Sequence, residues 1–197
     1  MKKIIVPTLL VLTLFGCAST PRVGLIAKAA PYIPGSAQTN LKGLDAEAFQ
    51  KALEGGFRKL PLEDLYSFSQ IRLKTISASR ENCLAILDEG AVASVRKQKA
   101  LETLTDDEYD QYARIIAKAI TLSANNDVKA LERPRKSEFE KAFEMALDAP
   151  TVGQMPKYLT KLPDPTQDQC WSIFKALSYV DQKRNKLSET IVKYIGM

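Results

Sequence analysis

Residues 105–120 read TDDEYDQYARIIAKAI, and this stretch decides the fold class. Thr105 followed by Glu108 three residues later is a capping box. Each side chain satisfies a backbone N–H that the start of a helix leaves open. Beyond it Tyr109, Tyr112, Ala113, Ile116 and Ile120 recur at spacings of three and four, which is one face of a 3.6-residue helix. Asp106, Asp107, Glu108 and Asp110 form the densest acidic cluster in the chain. Carboxylates can cleave glycosides or hold Ca²⁺, but the EF-hand spacing D-x-D-x-D-G is absent. At a helix start their sign matches the dipole, and that is the reading adopted here.

The same grammar extends in both directions. Toward the N-terminus, Asp45 caps an expected helix over 46–54 that Gly55-Gly56 should stop. Pro61 occupies a first-turn position, followed by Glu63-Asp64. The next helix is expected to run to about Ser79 with Leu65, Phe68 and Ile76 inward, and on through 81–88 to Gly90. A weaker helix covers 92–103. Toward the C-terminus, Pro134 breaks the chain and Ser137-Glu138-Phe139-Glu140 reads as a second capping box, with Phe139, Ala142, Phe143 and Ala146 in register. Pro150, Pro156, Pro163 and Pro165 mark an irregular connection of roughly 18 residues, long for a compact domain and therefore a candidate functional loop. Helices carrying Cys170, Ile173, Phe174 and Leu177, then Leu187, Ile191 and Ile195, close the chain. Alternation with period two is almost nowhere present. The expectation is all-α: a single compact bundle of six or seven helices over residues 45–197.

Composition fits one folded core. The chain has 197 residues, 45% of them apolar and 26% charged, with a formal charge of +5. It has no histidine. That excludes a Ser-His-Asp or Cys-His hydrolase, an HExxH zinc site and an imidazole proton shuttle. No cofactor and no metal is expected.

The first twenty residues read MKKIIVPTLLVLTLFGCAST. Lys2 and Lys3 precede an uncharged stretch from Ile4 to Gly16, which as a helix would reach about 20 Å against a hydrocarbon core of about 30 Å. It reads as an export signal rather than a spanning helix. Leu14-Phe15-Gly16-Cys17 resembles the lipobox of bacterial lipoprotein precursors, with Leu at −3, a small residue at −1 and then Cys. The resemblance implies cleavage before Cys17, a diacylglycerol on its sulfur and a further acyl chain on its amine. Ala18 is not the Asp that retains such proteins in the inner membrane of enteric-type bacteria, so the outer membrane is implied. Residues 1–16 are then a signal peptide. Residues 17–44, rich in Pro and Gly with no holding period, are expected to be an irregular, acylated tether, about half of it lying against the domain. Export also argues against nucleic acid as a partner despite the basic composition.

Cys83 and Cys170 remain once Cys17 is lipidated. Two thiols in an oxidising compartment are expected to pair, and each lies on an apolar helical stripe that faces the core. Two S-x-x-K tetrads, Ser94–Lys97 and Ser172–Lys175, have the spacing of penicillin-recognising enzymes but lack the S-D-N and K-T-G partners, and read as helix faces. Arg133, Arg135, Lys136, Lys183, Arg184 and Lys186 read as solvated charge, with lipid phosphate or an acidic wall polymer as the functional alternative. Trp171, the single tryptophan, follows the proline-rich loop and is expected to pack near the bridge.

The sequence thus points to a non-enzymatic lipoprotein of the outer membrane, with its domain in the periplasm. It would hold membrane lipid through Cys17 and an envelope protein through the loop, with Tyr158 and Trp171 as contact residues. Secretion-accessory, immunity and exclusion lipoproteins fall in this class. The alternatives are a peptidoglycan-active enzyme using carboxylates, or a purely structural lipoprotein.

Overall fold

The computed structural model describes residues 24–41, 45–88, 95–150 and 154–195. Among them there is no strand, and ten α-helices follow one another. They are α1 (Leu25–Ala29), α2 (Gly35–Leu41), α3 (Ala46–Phe57), α4 (Leu62–Ala78), α5 (Arg80–Leu87), α6 (Val95–Leu101), α7 (Asp106–Ser123), α8 (Lys136–Asp148), α9 (Gln169–Gln182) and α10 (Lys186–Ile195). The all-α expectation holds. The count exceeds six or seven for two reasons, both physical.

The first is the segment expected to be an irregular tether. Leu25, Ala29, Ile33 and Ala37, spaced by four, are all buried against α7 and its neighbours. Pro31 does not obstruct this, because it opens a short 3₁₀ turn over Ala30–Tyr32, where a missing N–H costs nothing. Pro34 directly precedes α2 in the same way. Polar contacts fix the segment to α7: the Tyr32 hydroxyl donates to Asp110 at 2.6 Å, and Lys28 pairs with the same carboxylate at 3.2 Å. Packing therefore begins at Leu25 among the described residues, well before Asp45.

The second is a break at Ser79, where a continuous run to Gly90 was expected. Ser79 is fully extended (φ −158°, ψ 165°) and its hydroxyl accepts from the Asn82 N–H at 3.1 Å, capping α5. A serine offering a local hydrogen bond competes with helix continuation, and here it wins.

At Gly55-Gly56 the correction runs the other way. Both glycines lie inside α3, which continues to Phe57. A Cβ built on Gly56 would stand 1.8 Å from the Ala119 carbonyl oxygen, so at this point α3 and α7 touch backbone to backbone. Gly56 is a packing residue, not a stop. Around the crossing, Leu53, Ala113, Ile116 and Ile120 are fully or nearly fully buried, and Phe57, Phe68 and Tyr112 stack in a row with centroids 4.8 and 5.5 Å apart. The expected stripe of α7 is buried at every position named for it.

A second, smaller core joins Ile76, Cys83, Leu159, Cys170, Phe174 and Leu177. Cys83 and Cys170 are bridged within it, with Cα atoms 6.0 Å apart and 87 residues between them in sequence. The second capping box is displaced by two residues: α8 starts at Lys136, and Glu138 accepts from the Arg135 N–H at 2.8 Å, so Ser137 is not the cap. Ala142 and Ala146 of α8 are buried, while Phe139 stacks on Tyr194 of α10 at 3.8 Å.

Two measurements check this packing. In thermal denaturation, Gly56→Ala should destabilise by about 1–3 kcal/mol or more through overpacking. Gly55→Ala, where a Cβ meets nothing within 4 Å, should stabilise by roughly 0.5–1 kcal/mol. Equal effects at the two sites would refute the close crossing. Separately, protein denatured without reductant should show neither Cys83 nor Cys170 open to alkylation, and the Cys83→Ala/Cys170→Ala variant should lose up to about 4–5 kcal/mol.

Candidate functional site

The break at Ser79 leaves a gap between the end of α4 and the start of α5, and the chain after Pro156 folds across it. Residues 156–162 form successive tight turns: the Leu159 N–H donates to the Pro156 carbonyl at 2.9 Å, and the Leu162 N–H to the Leu159 carbonyl at 3.3 Å. Leu159 is completely buried in the smaller core, which anchors the turns from below. Tyr158 anchors them from the side, its hydroxyl donating to the Ile76 carbonyl at 2.7 Å. That carbonyl belongs to the last turn of α4, where helix acceptors otherwise lack partners. Burial first, and the negative charge of Asp168 second, push the Tyr158 hydroxyl up to about 12, so it remains a donor across the ordinary pH range.

Between these walls lies a cleft of about 480 Å³, with Ser77 to Glu81 on one side and Lys157, Tyr158 and Lys161 on the other. Arg80 is fixed by Asp168, whose carboxylate meets its Nη2 at 2.7 Å. The other carboxylate oxygen of Asp168 accepts from the Cys170 N–H at 2.8 Å and the Trp171 N–H at 3.4 Å, capping α9. One aspartate thus ties α5 to α9 beside the disulfide. Arg80 Nη1 is shielded from solvent and has no hydrogen-bond partner. The Glu81 carboxyl is held below its usual range by its own backbone N–H and by the Ser79 hydroxyl.

The structure distributes the residues singled out from sequence as follows. Tyr158 lines the cleft. Trp171 is half-buried behind the loop, packed against the smaller core, with the Lys175 ammonium 5.7 Å from its ring. Lys175 itself is buried and donates to the Ala149 carbonyl, so the second S-x-x-K tetrad belongs to the junction of α8 and α9. Ser94 and Cys17 lie outside the described residues. In the acidic cluster, Glu108 accepts from the Thr105 N–H at 2.7 Å and pairs with Lys74 of α4, and these contacts hold its carboxyl down at about 2, the Lys74 contribution being largest. Asp110 is held well below the usual range first by the Tyr32 hydroxyl and then by Arg114, at 2.8 Å. The basic clusters are also engaged: Arg133 lies 4.8 Å over the Tyr194 ring, Arg135 pairs with Glu138, and Arg184 pairs with Glu63 and covers Tyr66. Among the described residues no group of three or more Asp, Glu or Cys is placed to hold a metal ion, and no helix is long and apolar enough to cross a membrane.

Sequence reasoning did not single out Arg80, Lys157 or Lys161. The lysines had a readable signal, since KYLTK places two of them four apart inside the loop already marked as a candidate. Arg80 had none. Its place opposite them depends on the Ser79 break and on Asp168, which lies 88 residues away in sequence.

No protein-family model, no curated protein and no solved structure matches this chain.

The Glu108 contacts make stability sensitive to acid. A carboxyl lowered from 4.5 to about 2 contributes stability that is complete above the higher value and is lost as pH falls through the lower one. Glu108→Gln keeps the capping geometry but not the ion pair. Its denaturation midpoint should therefore decline less steeply than wild type across that window, and superimposable pH profiles would contradict the assignment.

Proposed function

We propose that this chain is a lipid-anchored lipoprotein of the outer membrane whose helical domain works in the periplasm as a non-enzymatic binding or accessory module, of secretion-accessory, immunity or exclusion type. The observation that carries the reading is the leader ending in Leu14-Phe15-Gly16-Cys17. Two or three acyl chains on one cysteine anchor a protein stably, since each buried methylene contributes about 0.8 kcal/mol.

The packing of Leu25 adds a geometric consequence. From Cys17 to Leu25 the chain advances eight residues, and a fully extended chain spans at most about 3.3–3.6 Å per residue. An acylated Cys17 would hold α1 within roughly 28 Å of the lipid headgroups. The module would then meet partners at the membrane face, not at the far side of the periplasm. Contact is assigned to the cleft wall that carries Tyr158, with Trp171 supporting it from behind. Glu108 and Asp110 are committed to the α7 cap and to cations, and so lend nothing to a carboxylate-based hydrolase.

Metabolic labelling with a fatty-acid analogue tests the anchor. Wild type should be labelled and fractionate with the outer membrane, whereas Cys17→Ser should lose the label and accumulate as uncleaved precursor. Persistent labelling of the variant would sink the lipobox reading. Crosslinking of the acylated protein in its native envelope, read by mass spectrometry, should recover a stoichiometric protein partner. Recovery of wall fragments alone would shift the assignment to a wall-acting protein.

A further inference from the structure

We propose that the cleft at the α4–α5 break binds a phosphate group carried on a small polar head. The inference builds on the binding-module reading for its biological setting, but the shape and charge of the cleft do not depend on acylation.

Size is the first argument. The cleft is open to solvent, and its volume of about 480 Å³ admits a group larger than a single ion.

Charge is the second. Arg80, Lys157 and Lys161 line the cleft against one carboxylate, Glu81, which its own N–H and the Ser79 hydroxyl keep ionised, so cations outnumber anions three to one in the lining. Asp168 already pairs with Arg80 through Nη2, and Nη1 is shielded from solvent, so the exposed Lys157 and Lys161 are the cations open to a ligand. Lys157 and Lys161 are exposed and form no ion pair among the described residues.

Rigidity is the third. Leu159 is buried, and Tyr158 is bonded to Ile76, on the same turns that carry both lysines. The two lysines are therefore carried four residues apart on fixed backbone along one wall of the cleft. A phosphate monoester, with about −1.5 to −2 charge at neutral pH, compensates two lysines where a carboxylate compensates one. Lysine and arginine donors to phosphate also make charge-assisted hydrogen bonds, about twice as strong as neutral ones.

The source of the phosphate is either a soluble ester or a lipid headgroup, and the experiment separates the two. The full chain carrying Cys17→Ser, and therefore without acyl groups, is titrated by calorimetry with glycerol 3-phosphate, with glycerol as the control. It is also floated with phosphatidylcholine vesicles containing phosphatidic acid at one molecule in five, and the flotation with vesicles lacking it, which the retained leader alone would give, is subtracted. The decisive variant is Lys157→Ala/Lys161→Ala, because both side chains are exposed and form no ion pair among the described residues, so their loss should leave the circular dichroism spectrum unchanged. Lys51→Ala, on the exposed face of α3, is the remote control. We expect saturable binding of glycerol 3-phosphate that weakens as salt rises, falls about tenfold in the double variant and is unchanged by Lys51→Ala. Phosphatidic-acid-dependent flotation that the double variant loses, with no response to glycerol 3-phosphate, supports the same site with a headgroup as source. Absence of lysine-dependent binding to both probes overturns the proposal. That failure is distinguishable from failure of the lipoprotein reading, because fatty-acid labelling at Cys17 would be unaffected by it.

Discussion

The structure depends on how closely α3 lies against α7. Where Gly56 meets the Ala119 carbonyl there is no room for a single methyl group, and this contact sets the separation of the two helices. Close crossing lets the small residues Ala113, Ala117 and Ala119 bury completely, and it brings Leu53 and Phe57 into range of Ile116, Ile120 and Tyr112. α7 then has neighbours on several sides: α1 and the following 3₁₀ turn, α3, and α4 through Phe68. A helix buried this broadly cannot show a narrow apolar stripe. Ile115, Ala117 and Ala119 are as buried as the stripe residues, although they sit off its spacing.

The smaller core does a different job. It joins elements far apart in the chain, and its bridge fixes α5 to α9. Asp168 repeats that connection in polar form, capping α9 while holding Arg80 of α5. Leu159 plugs the loop into the same cluster, so the loop, the start of α5 and the start of α9 are set by one group of contacts. The cleft is the space those contacts leave. Its cations sit on backbone that is already paid for in folding, which is the condition under which a surface charge becomes useful for recognition.

The burial of Leu25, Ala29, Ile33 and Ala37 changes the functional picture as much as the cleft does. A long flexible arm would let an anchored domain search a wide volume. With the packed segment starting at Leu25, an anchor at Cys17 would instead confine the domain to the neighbourhood of the headgroups. The Asp110 cluster reinforces that confinement, since Lys28 and Tyr32 lie on the packed segment and Asp110 and Arg114 lie on α7.

By itself the sequence determined the helical class, the Thr105–Glu108 cap and the buried face of α7, whereas the meeting of Cys83 and Cys170 across 87 residues took the tertiary packing. The first three are local matters of spacing and side-chain polarity, and neighbours along the chain decide them. The resemblance of residues 14–17 to a lipobox is likewise read from adjacent residues. Tertiary structure alone decided that Gly56 is a crossing point and not a stop, because the cost of a glycine inside a helix, about 0.5–1 kcal/mol, is offset where another backbone occupies the space of its Cβ. It also decided that residues 25–41 pack: their spacing of four was present in the sequence, but prolines and glycines at helix starts look like those of a spacer until a partner surface exists. The convergence of Arg80, Lys157 and Lys161 is the extreme case. Each is an ordinary surface cation in its own segment, and only the Ser79 break, the Asp168 bridge and the burial of Leu159 bring them to one cleft.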